Sequence, residues 1–426
     1  MRFSWVPRFA KLQGHMSDST PAAELRAARA RTRAMADDLG GAREYGPLLP
    51  IVNPPRWEIG HVGWFQEYWC LRRAGPGLYS VARHEPILPN ADALYNSATV
   101  PHDSRWSLPL PDFAATLRYR DEVLERVLAQ GFRVEEDAYF ARLAARHEDM
   151  HAEAFHYTRH TLGYEAPSLA SRPHPERDTV GGACAQGDVA VPGGVFELGA
   201  ARGAGFVFDN EKWAHPVVVA PFRIARTVVS NAEYLAYVEA GGTPPSHWRK
   251  HGRTWLQRRF ERWLPLAAED PVIHVSWNEA QAFCRYAARR LPTEAEWEFA
   301  ATWDPVSGRK RAYPWGDQPW RPSMANLDNA VTAGVHAYPE GDSALGLRQM
   351  IGNVWEWTSS DFLPYPGFLR DPYKEYSEPW FGNHKVLRGG GFTTSPRIAR
   401  STFRNFFVPE RSDLFAGFRT CALEPR

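Results

Sequence analysis

Apolar residues recur three and four positions apart through much of the first third of the chain. That spacing places them along one face of a helix and leaves charged residues on the opposite face. Thr20 followed by Pro21 marks a helix start, because the hydroxyl caps the first turn and proline fits its first position. With three later segments, this start predicts an antiparallel four-helix bundle over residues 16–165. The later segments are residues 56–74, 110–131 and 135–162.

From about Val191 the pattern changes to short apolar runs separated by glycine, proline, asparagine and tryptophan. The few helices indicated there each begin at a capping box, in which Ser or Thr is followed three residues later by Glu. The pattern predicts an α+β domain over residues 191–426, joined to the bundle by a linker at residues 166–190. The three boxes pair Ser230 with Glu233, Ser276 with Glu279, and Thr293 with Glu296.

Two histidines, His147 and His151, lie one turn apart in the segment 135–162. Counted at about 100° per residue, both fall on the apolar face of that helix. Two imidazoles in this relation can bind one metal ion. His61, from another predicted helix, would complete a three-nitrogen site with open positions, as in catalytic metal sites. The alternative is that these are hydrogen-bonded core histidines.

A second pair with the same spacing, His156 and His160, points with the charged side of the same helix. Arg146 and Asp149 lie on that side as well. The pattern therefore predicts that His156 and His160 are solvated surface residues.

Composition excludes several classes of protein. The 426 residues carry 50 Lys and Arg against 49 Asp and Glu, with both signs interspersed, which argues against binding to nucleic acid or to an anionic membrane surface. No apolar run is long enough for a transmembrane helix. The four cysteines form no C-x-x-C motif, so we expect free thiols in a reducing cytoplasm, with pairing left open. Residues 1–15 are expected to be a non-native leader ahead of a start at Met16.

Dense motifs run through the second half, where glycines suit tight turns and tryptophans suit a core poor in regular structure. They include Pro192-Gly193-Gly194, Arg290-Leu291-Pro292-Thr293-Glu294, Gly352-Asn353-Val354-Trp355-Glu356-Trp357, Arg388-Gly389-Gly390 and Gly417-Phe418-Arg419. With them, the second half resembles the formylglycine-generating-enzyme/sulfatase-modifying domain. The resemblance implies a C-type-lectin-like α+β fold, and it suggests a structural calcium ion held through Asn353 and Glu356.

In the first half, Trp57 stands four residues before His61, and Glu148 follows His147 directly. These patterns resemble those of DinB-like bundles. The text H-E-x-x-H also occurs in zinc metalloproteases, with the Glu as general base, but the fused second domain fits a different architecture. The combination resembles the ergothioneine-type sulfoxide synthases, non-haem iron enzymes that join a sulfur donor to C2 of the hercynine imidazole using O2. The resemblance implies His61, His147 and His151 as Fe(II) ligands.

The same resemblance implies that hercynine binds between the two domains. The long connection at residues 75–109 is expected to cover the mouth of the metal site, because a loop of this length in a compact domain is usually functional. Formylglycine generation is not expected, because the enzymes that perform it carry a cysteine pair shortly after the R-G-G motif. Residues 391–399, which follow that motif here, contain no cysteine.

The chain departs from thiol-using family members at the co-substrate end. Members that use γ-glutamylcysteine have R-N-W-D followed by Arg, whereas this chain keeps Asn405 and Arg411 but has Phe407 at the clamping Asp. A phenyl ring cannot pair with an ammonium as a carboxylate does. Polar side chains are missing at three further sites. Phe368 stands where one branch of the family has a proton-donating Tyr, Ala98-Thr99 where another branch has Tyr-Tyr, and Met150 where a Gln often precedes a ligand histidine.

This pattern resembles the selenoneine synthases, which attach selenium from a selenosugar to hercynine. A sugar carries neither ammonium nor α-carboxylate, so loss of the Asp is consistent with that donor. Asn405 is expected to orient the betaine carboxylate of hercynine. The other residues assigned to substrate are Phe406, Phe407, Arg411, Met150, Trp380 and Phe381, and the alternative for the aromatic ones is core packing.

The proton donor stays unassigned among Tyr95, Tyr365 and Tyr376. Two alternative functions remain open at this point. One is an ergothioneine-type sulfoxide synthase that uses cysteine or γ-glutamylcysteine, and the other is a binding module or a metalloenzyme of unrelated chemistry. The oligomeric state is also left open by the sequence.

Overall fold

The computed structural model describes residues 19–74, 82–167 and 187–423. They form two compact units, the first running to Leu162 and including the short segment Gly203–Phe206, and the second containing nearly all of the remainder. The expected leader at residues 1–15, most of the linker and Cys184 lie outside the described residues.

The first unit is helical, as the apolar repeat predicts. Thr20 caps its first helix through a bond from the Ala23 amide, with proline in the first turn. The second helix continues into a π-helical turn, Tyr68–Arg72, so it is shorter than the predicted segment. The helices are α1 Pro21–Ala36, α2 Pro55–Glu67, α3 Ala91–Tyr95, α4 Phe113–Gln130 and α5 Glu135–Leu162.

Two glycines let α2 approach its neighbours closely. A Cβ at Gly60 would lie 2.2 Å from the ring of Tyr95, which ends α3. At Gly63 it would lie 3.2 Å from the backbone of Arg120 in α4. Because no real Cβ tolerates the first distance, Gly60 fixes how α3 meets the part of α2 that carries His61.

The prediction that His156 and His160 are solvated is wrong, since their exposed fractions are 0 and 2%. The charged side of α5 on which they lie is itself buried. Charged residues on this side form ion pairs with α1 and with the residues that follow α1. Helical periodicity alone does not distinguish a charged face that is packed in this way from one that is exposed to solvent. The pairs are Arg146 with Glu24 at 2.5 Å, Arg31 with Asp149 at 3.8 Å and Arg159 with Asp38 at 2.6 Å.

The second unit is rich in short strands. They are β1 Asp188–Val191, β2 Gly194–Leu198, β3 His215–Val219, β4 Phe222–Ala225, β5 Trp248–His251, β6 Thr254–Arg259, β7 Arg262–Pro265, β8 Arg289–Arg290, β9 Trp303–Asp304, β10 Arg309–Lys310, β11 Trp355–Asp361, β12 Lys385–Arg388, β13 Asn405–Phe407, β14 Ala416–Gly417 and β15 Cys421–Ala422. Two sheets have four strands each, ordered β1-β4-β15-β8 and β13-β12-β11-β14. The remaining strands form β5-β6-β7, β2-β3 and β10-β9.

Three helices of the second unit begin at the predicted capping boxes. They are α6 Asn231–Glu239, α7 Trp277–Tyr286 and α8 Glu294–Thr302, and each box is formed in both directions. Trp297, Trp355 and Trp357 are fully buried, which confirms that tryptophans fill this core.

A network of buried charges surrounds the start of α8. Arg388 is paired with Glu294 and Glu298, and Arg404 binds Glu294 with both arms of its guanidinium. Because each of these cations meets a carboxylate, the cost of burying it is offset within the network.

The described cysteines are Cys70, Cys284 and Cys421, and all three are buried free thiols. Burial raises the pKa of each to about 12, so they remain protonated and pack as small apolar groups. None of the described helices combines the length and apolar character that a membrane crossing requires.

Candidate metal centre

Three histidines converge in the first unit as the sequence predicts. His61 comes from α2, and His147 and His151 come from successive turns of α5. One ring nitrogen of each lies within 4.8 Å of the other two. The ring centroids are 4.5 to 5.1 Å apart. This spacing allows three nitrogens to contact one ion.

Electrostatics favour the ligand form of the imidazoles of His61 and His147. Burial lowers the pKa of His61 well below its ordinary 6.5, and the neighbouring His151 lowers it further. Burial likewise lowers the pKa of His147, with His151 and His61 adding to the effect. Both rings are therefore neutral at pH 7, and a neutral imidazole is the form that binds metals.

The outer nitrogens of two of the rings are held by the surrounding protein. His61 Nδ1 lies 2.8 Å from the carbonyl oxygen of Tyr95, and His151 Nδ1 lies 2.6 Å from Glu58 Oε1. Donation from Nδ1 leaves the Nε2 lone pair to face the centre. The donor set, of which His61 and His147 are buried, thus fits a divalent metal ion with a preference for nitrogen.

Aromatic rings fix the planes of the imidazoles. Phe65 stacks on His147 with centroids 3.6 Å apart, and Trp57 stacks on His61 at 4.9 Å. The guanidinium of Arg105 covers the Trp57 ring at 3.9 Å. Arg105 lies in the long connection, which therefore contributes a residue beside the site.

Sequence reasoning missed Glu58 as a member of this site. The sequence did contain an indication of this role, because Glu58 stands three residues before His61 and so lies on the same face of α2. Helical spacing identifies such a neighbour, but only the packing of α2 against α5 reveals that it meets His151.

Glu148, the glutamate of the H-E-x-x-H motif, makes the contacts of a structural residue and not those of a general base. Glu148 accepts from Arg29 at 2.6 and 3.3 Å, and both side chains are buried. Arg29 also donates to Gln66 and to the Arg120 carbonyl. A carboxylate held in this way ties α1 to α5, which supports the rejection of a metalloprotease.

The residues assigned to substrate in the second unit meet partly in β13. Asn405, Phe406 and Phe407 are consecutive there. Phe406 is buried and stacks on Phe362 at 3.9 Å, so its contacts are those of a core residue. Phe381 packs against the same cluster, whereas Trp380 is 41% exposed.

Arg411 is engaged by its own unit. Its guanidinium donates to both carboxylate oxygens of Asp413, at 2.8 and 3.1 Å, and lies 4.6 Å from the centre of the Phe407 ring. The positive charge predicted to bind substrate is therefore already balanced by a carboxylate.

The three candidate proton donors occupy different surroundings. Tyr95 offers its carbonyl to His61 and packs its ring on Gly60, and burial raises its pKa to about 12. In the second unit, Tyr365 donates to Glu294, and burial raises the pKa values of Tyr365 and Tyr376 well above 10. Met150, beside His151 on α5, is partly buried.

The contacts of Asn353 and Glu356 correct the suggestion of calcium. Glu356 accepts from Arg419 at 2.6 and 2.7 Å and from the Trp297 indole at 2.9 Å. The Asn353 carboxamide oxygen accepts from Asn326 and from the Ala333 amide. Since donors saturate both groups, their role is to hold the fold together.

Comparison with known proteins bears on both units. Residues 174–423 match the model of the sulfatase-modifying factor enzyme 1-like domain, and residues 24–155 match that of the DinB superfamily. Together these matches confirm the predicted order, a helical DinB-type domain followed by a β-rich sulfatase-modifying domain.

The relatives include proteins of full length and of one domain. Hercynine oxygenase from Mycolicibacterium thermoresistibile is 37% identical over 448 residues, covering 97% of this chain and 95% of that protein. Formylglycine-generating enzyme from Streptomyces coelicolor is 33% identical, covering 60% of this chain and 92% of that one. The solved structure of PvdO from Pseudomonas aeruginosa is 23% identical with a TM-score of 0.43, covering 55% of this chain and 93% of that one.

Proposed function

We propose that this chain, which belongs to the same family as the hercynine oxygenases, is an O2-dependent oxidoreductase that acts on hercynine. We further propose that it uses Fe(II) held by His61, His147 and His151, and that its second substrate is a selenosugar. The product would carry selenium at C2 of the imidazole. The near full-length match to hercynine oxygenase supports the first substrate.

Iron is favoured by the donor set. Three imidazoles, two of them buried and neutral, leave coordination positions open, which suits a metal that must also admit substrate and O2. When bound, Fe(II) supplies the electrons with which O2 chemistry begins. The protein contributes the orientation of the rings, through Tyr95 and Glu58, and an apolar wall formed by Phe65 and Trp57.

The proposed reaction balances with O2 as the oxidant. A C2–H bond of hercynine and the Se–H bond of the selenosugar break, while a C2–Se bond and a selenium–oxygen bond form. One oxygen atom enters the selenoxide and the other leaves as water with the two hydrogens. No further reductant is needed, so O2 is the only other reactant.

Residues of the second unit would orient hercynine. We assign the betaine carboxylate to the carboxamide of Asn405, in β13. The trimethylammonium favours an aromatic face, where a desolvated cation–π contact contributes about 2 kcal/mol. Trp380 is the candidate for that contact because part of its ring is exposed, whereas Phe406 is committed to the core.

The choice of a selenosugar rests on the surroundings of Arg411. A donor of the amino-acid type needs a carboxylate for its ammonium and a free cation for its carboxylate. Here Phe407 stands where the carboxylate would be needed, and the cation of Arg411 is already paired with Asp413. An uncharged sugar needs neither group, and the Phe407 ring offers it an apolar surface.

A thiol donor is the second candidate. It is favoured by the presence of Asn405 and Arg411 at the positions that the resemblance assigns to thiol-using members. On this alternative Arg411 would exchange Asp413 for the carboxylate of cysteine or γ-glutamylcysteine. The reaction balances in the same way, with sulfur in place of selenium.

A competition experiment distinguishes the two donors. The protein is reconstituted anaerobically with Fe(II) and supplied with hercynine, then with an equimolar mixture of selenosugar and γ-glutamylcysteine, and finally with O2. We expect mass spectrometry to find selenium joined to hercynine as the main product. Preferential consumption of γ-glutamylcysteine would contradict the selenosugar assignment. Failure of every donor while hercynine remains intact would contradict the whole proposal.

A further inference from the structure

Glu58 lies against the metal centre without being one of its ligands. It belongs to α2, is 1% exposed, and places Oε1 2.6 Å from His151 Nδ1. This distance is slightly shorter than the usual range of about 2.7–2.9 Å for a hydrogen bond between a nitrogen donor and a carboxylate. We propose that Glu58 is a positioning residue that sets the orientation and the donor strength of His151 toward the metal, an inference that rests on the proposed function.

The three imidazoles differ in what their outer nitrogens meet. His61 donates to a neutral backbone carbonyl, at Tyr95. His151 instead meets a carboxylate, which draws the Nδ1 proton toward itself and makes Nε2 a stronger electron donor. The bond from His151 to the metal should therefore be the one that depends on the charge of a neighbouring side chain.

The second oxygen of Glu58 points to the same role. Oε2 is buried and has no hydrogen-bond partner among the described residues. A buried carboxylate with an unsatisfied oxygen is costly for folding alone. A dication bound at the other end of His151 would compensate part of that negative charge, which gives the arrangement a reason to persist.

Positive charge near Glu58 comes from Arg105. Burial lowers the pKa of Arg105, and the negative charge of Glu58 opposes that change. The guanidinium itself is directed to Asn53 and the Val100 carbonyl, at 2.6 and 3.4 Å. Arg105 therefore interacts electrostatically with Glu58 but does not compete with His151 for a hydrogen bond to it.

The same helix offers a matched control in Glu67. It is also 1% exposed, but its oxygens accept from the Tyr119 hydroxyl at 2.5 Å and the Ile87 amide at 2.7 Å. Both partners are neutral, and neither is a histidine. A change from Glu to Gln at Glu67 therefore removes a buried carboxylate from α2 without touching the metal centre.

The test compares Glu58→Gln with Glu67→Gln. Metal-free full-length protein is titrated anaerobically with Fe(II), and separately with Co(II), whose visible spectrum reports the strength of its ligands. A Gln at position 58 still accepts the hydrogen bond but carries no charge. We expect its metal affinity to fall about 10- to 100-fold and its Co(II) bands to shift. The Glu67→Gln protein should match wild type in affinity and in spectrum.

A second measurement needs no variant. In wild-type protein loaded with Zn(II) and labelled with ¹⁵N-histidine, His151 should show a slowly exchanging Nδ1 proton far downfield, because it is held by a carboxylate. Absence of that signal would overturn the role of Glu58, as would equal affinities and spectra for the two variants. If wild type bound none of these metals, the proposed function itself would be wrong.

Discussion

At the scale of single residues, His147 decides whether the first unit holds a metal. Its ring is fixed against Phe65 and it shares the centre with His61 and His151. We predict that His147→Ala lowers bound iron from about one ion per chain to near zero and abolishes turnover, because two imidazoles do not complete the site. His156→Ala, a buried histidine on the same helix, is the control and should keep its iron. Full iron content in His147→Ala would contradict the ligand assignment.

Phe407 tests the choice of donor. We predict that Phe407→Asp does not improve use of the selenosugar but raises activity with γ-glutamylcysteine, because a carboxylate at this position can pair with an ammonium. The measurement is the ratio of kcat/KM for the two donors. Asn matches Asp in size but carries no charge, so the control variant Phe407→Asn should leave activity with γ-glutamylcysteine low. A gain in selenosugar use by the Asp variant would contradict the assignment.

Asp209 carries a pH dependence of stability. Burial raises its pKa to about 6 from 3.8, with Asp371 adding to the effect and a bond from Ser377 opposing it. A carboxyl whose pKa is raised by folding stabilises most below pH 4 and loses that contribution as pH rises to about 6. Relative to Asp209→Asn, wild type should therefore gain roughly 1 kcal/mol of unfolding free energy between pH 7 and pH 5. Urea titrations at both pH values measure this difference, and a difference independent of pH would disprove it.

At the scale of elements, the helix α5 shows what a sequence can and cannot predict. Its bounds, Glu135–Leu162, coincide with the predicted segment, and its apolar face carries the metal pair as expected. The prediction that its charged face is exposed to solvent was wrong, because a periodic pattern shows which residues are polar but not which residues pack against them. Buried ion pairs with α1 and the residues after it look the same in sequence as solvated charges.

The co-substrate residues were harder to predict for a related reason. The structure places Asn405, Phe406 and Phe407 in one strand, β13. Whether each ring is core or surface depends on partners distant in sequence. Phe406 stacks on Phe362, whereas the ring of Phe407 contacts the guanidinium of Arg411. Local pattern carries no information on such contacts.

The ion pair that joins α1 to α5 predicts a large effect of a small change. Glu148→Gln leaves Arg29 buried without its main counter-charge, so we expect a loss of about 3 kcal/mol in unfolding free energy. Glu122→Gln removes an exposed pair with Arg126 one turn along α4 and should cost about 0.5 kcal/mol or less. Chemical denaturation of both variants measures the contrast. Equal losses would show that Glu148 is not the tie between these helices.

At the scale of the whole molecule, the two units divide the work that the proposed reaction requires. In the helical unit, the three proposed metal ligands and the residues that orient their rings all lie within residues 57–151. The β-rich unit contains most of the residues proposed to bind the substrates, whereas Met150 lies on α5 of the helical unit. The helical spacing therefore predicted that the three histidines converge, because they lie on two helices. It gave no comparable constraint on the residues proposed to bind the donor.

Metal binding should also be visible as stability of the whole protein. A ligand that binds only the native state stabilises it by about 2.7 kcal/mol at one hundred times its Kd. For a unit of this size that corresponds to a rise of roughly 5–10 °C in Tm. We predict this rise when Co(II) is added to metal-free protein, followed by the helical circular dichroism signal. His147→Ala should show no rise, whereas Glu67→Gln should show the wild-type rise. An equal rise in His147→Ala would mean that the ion binds at a site other than the three histidines.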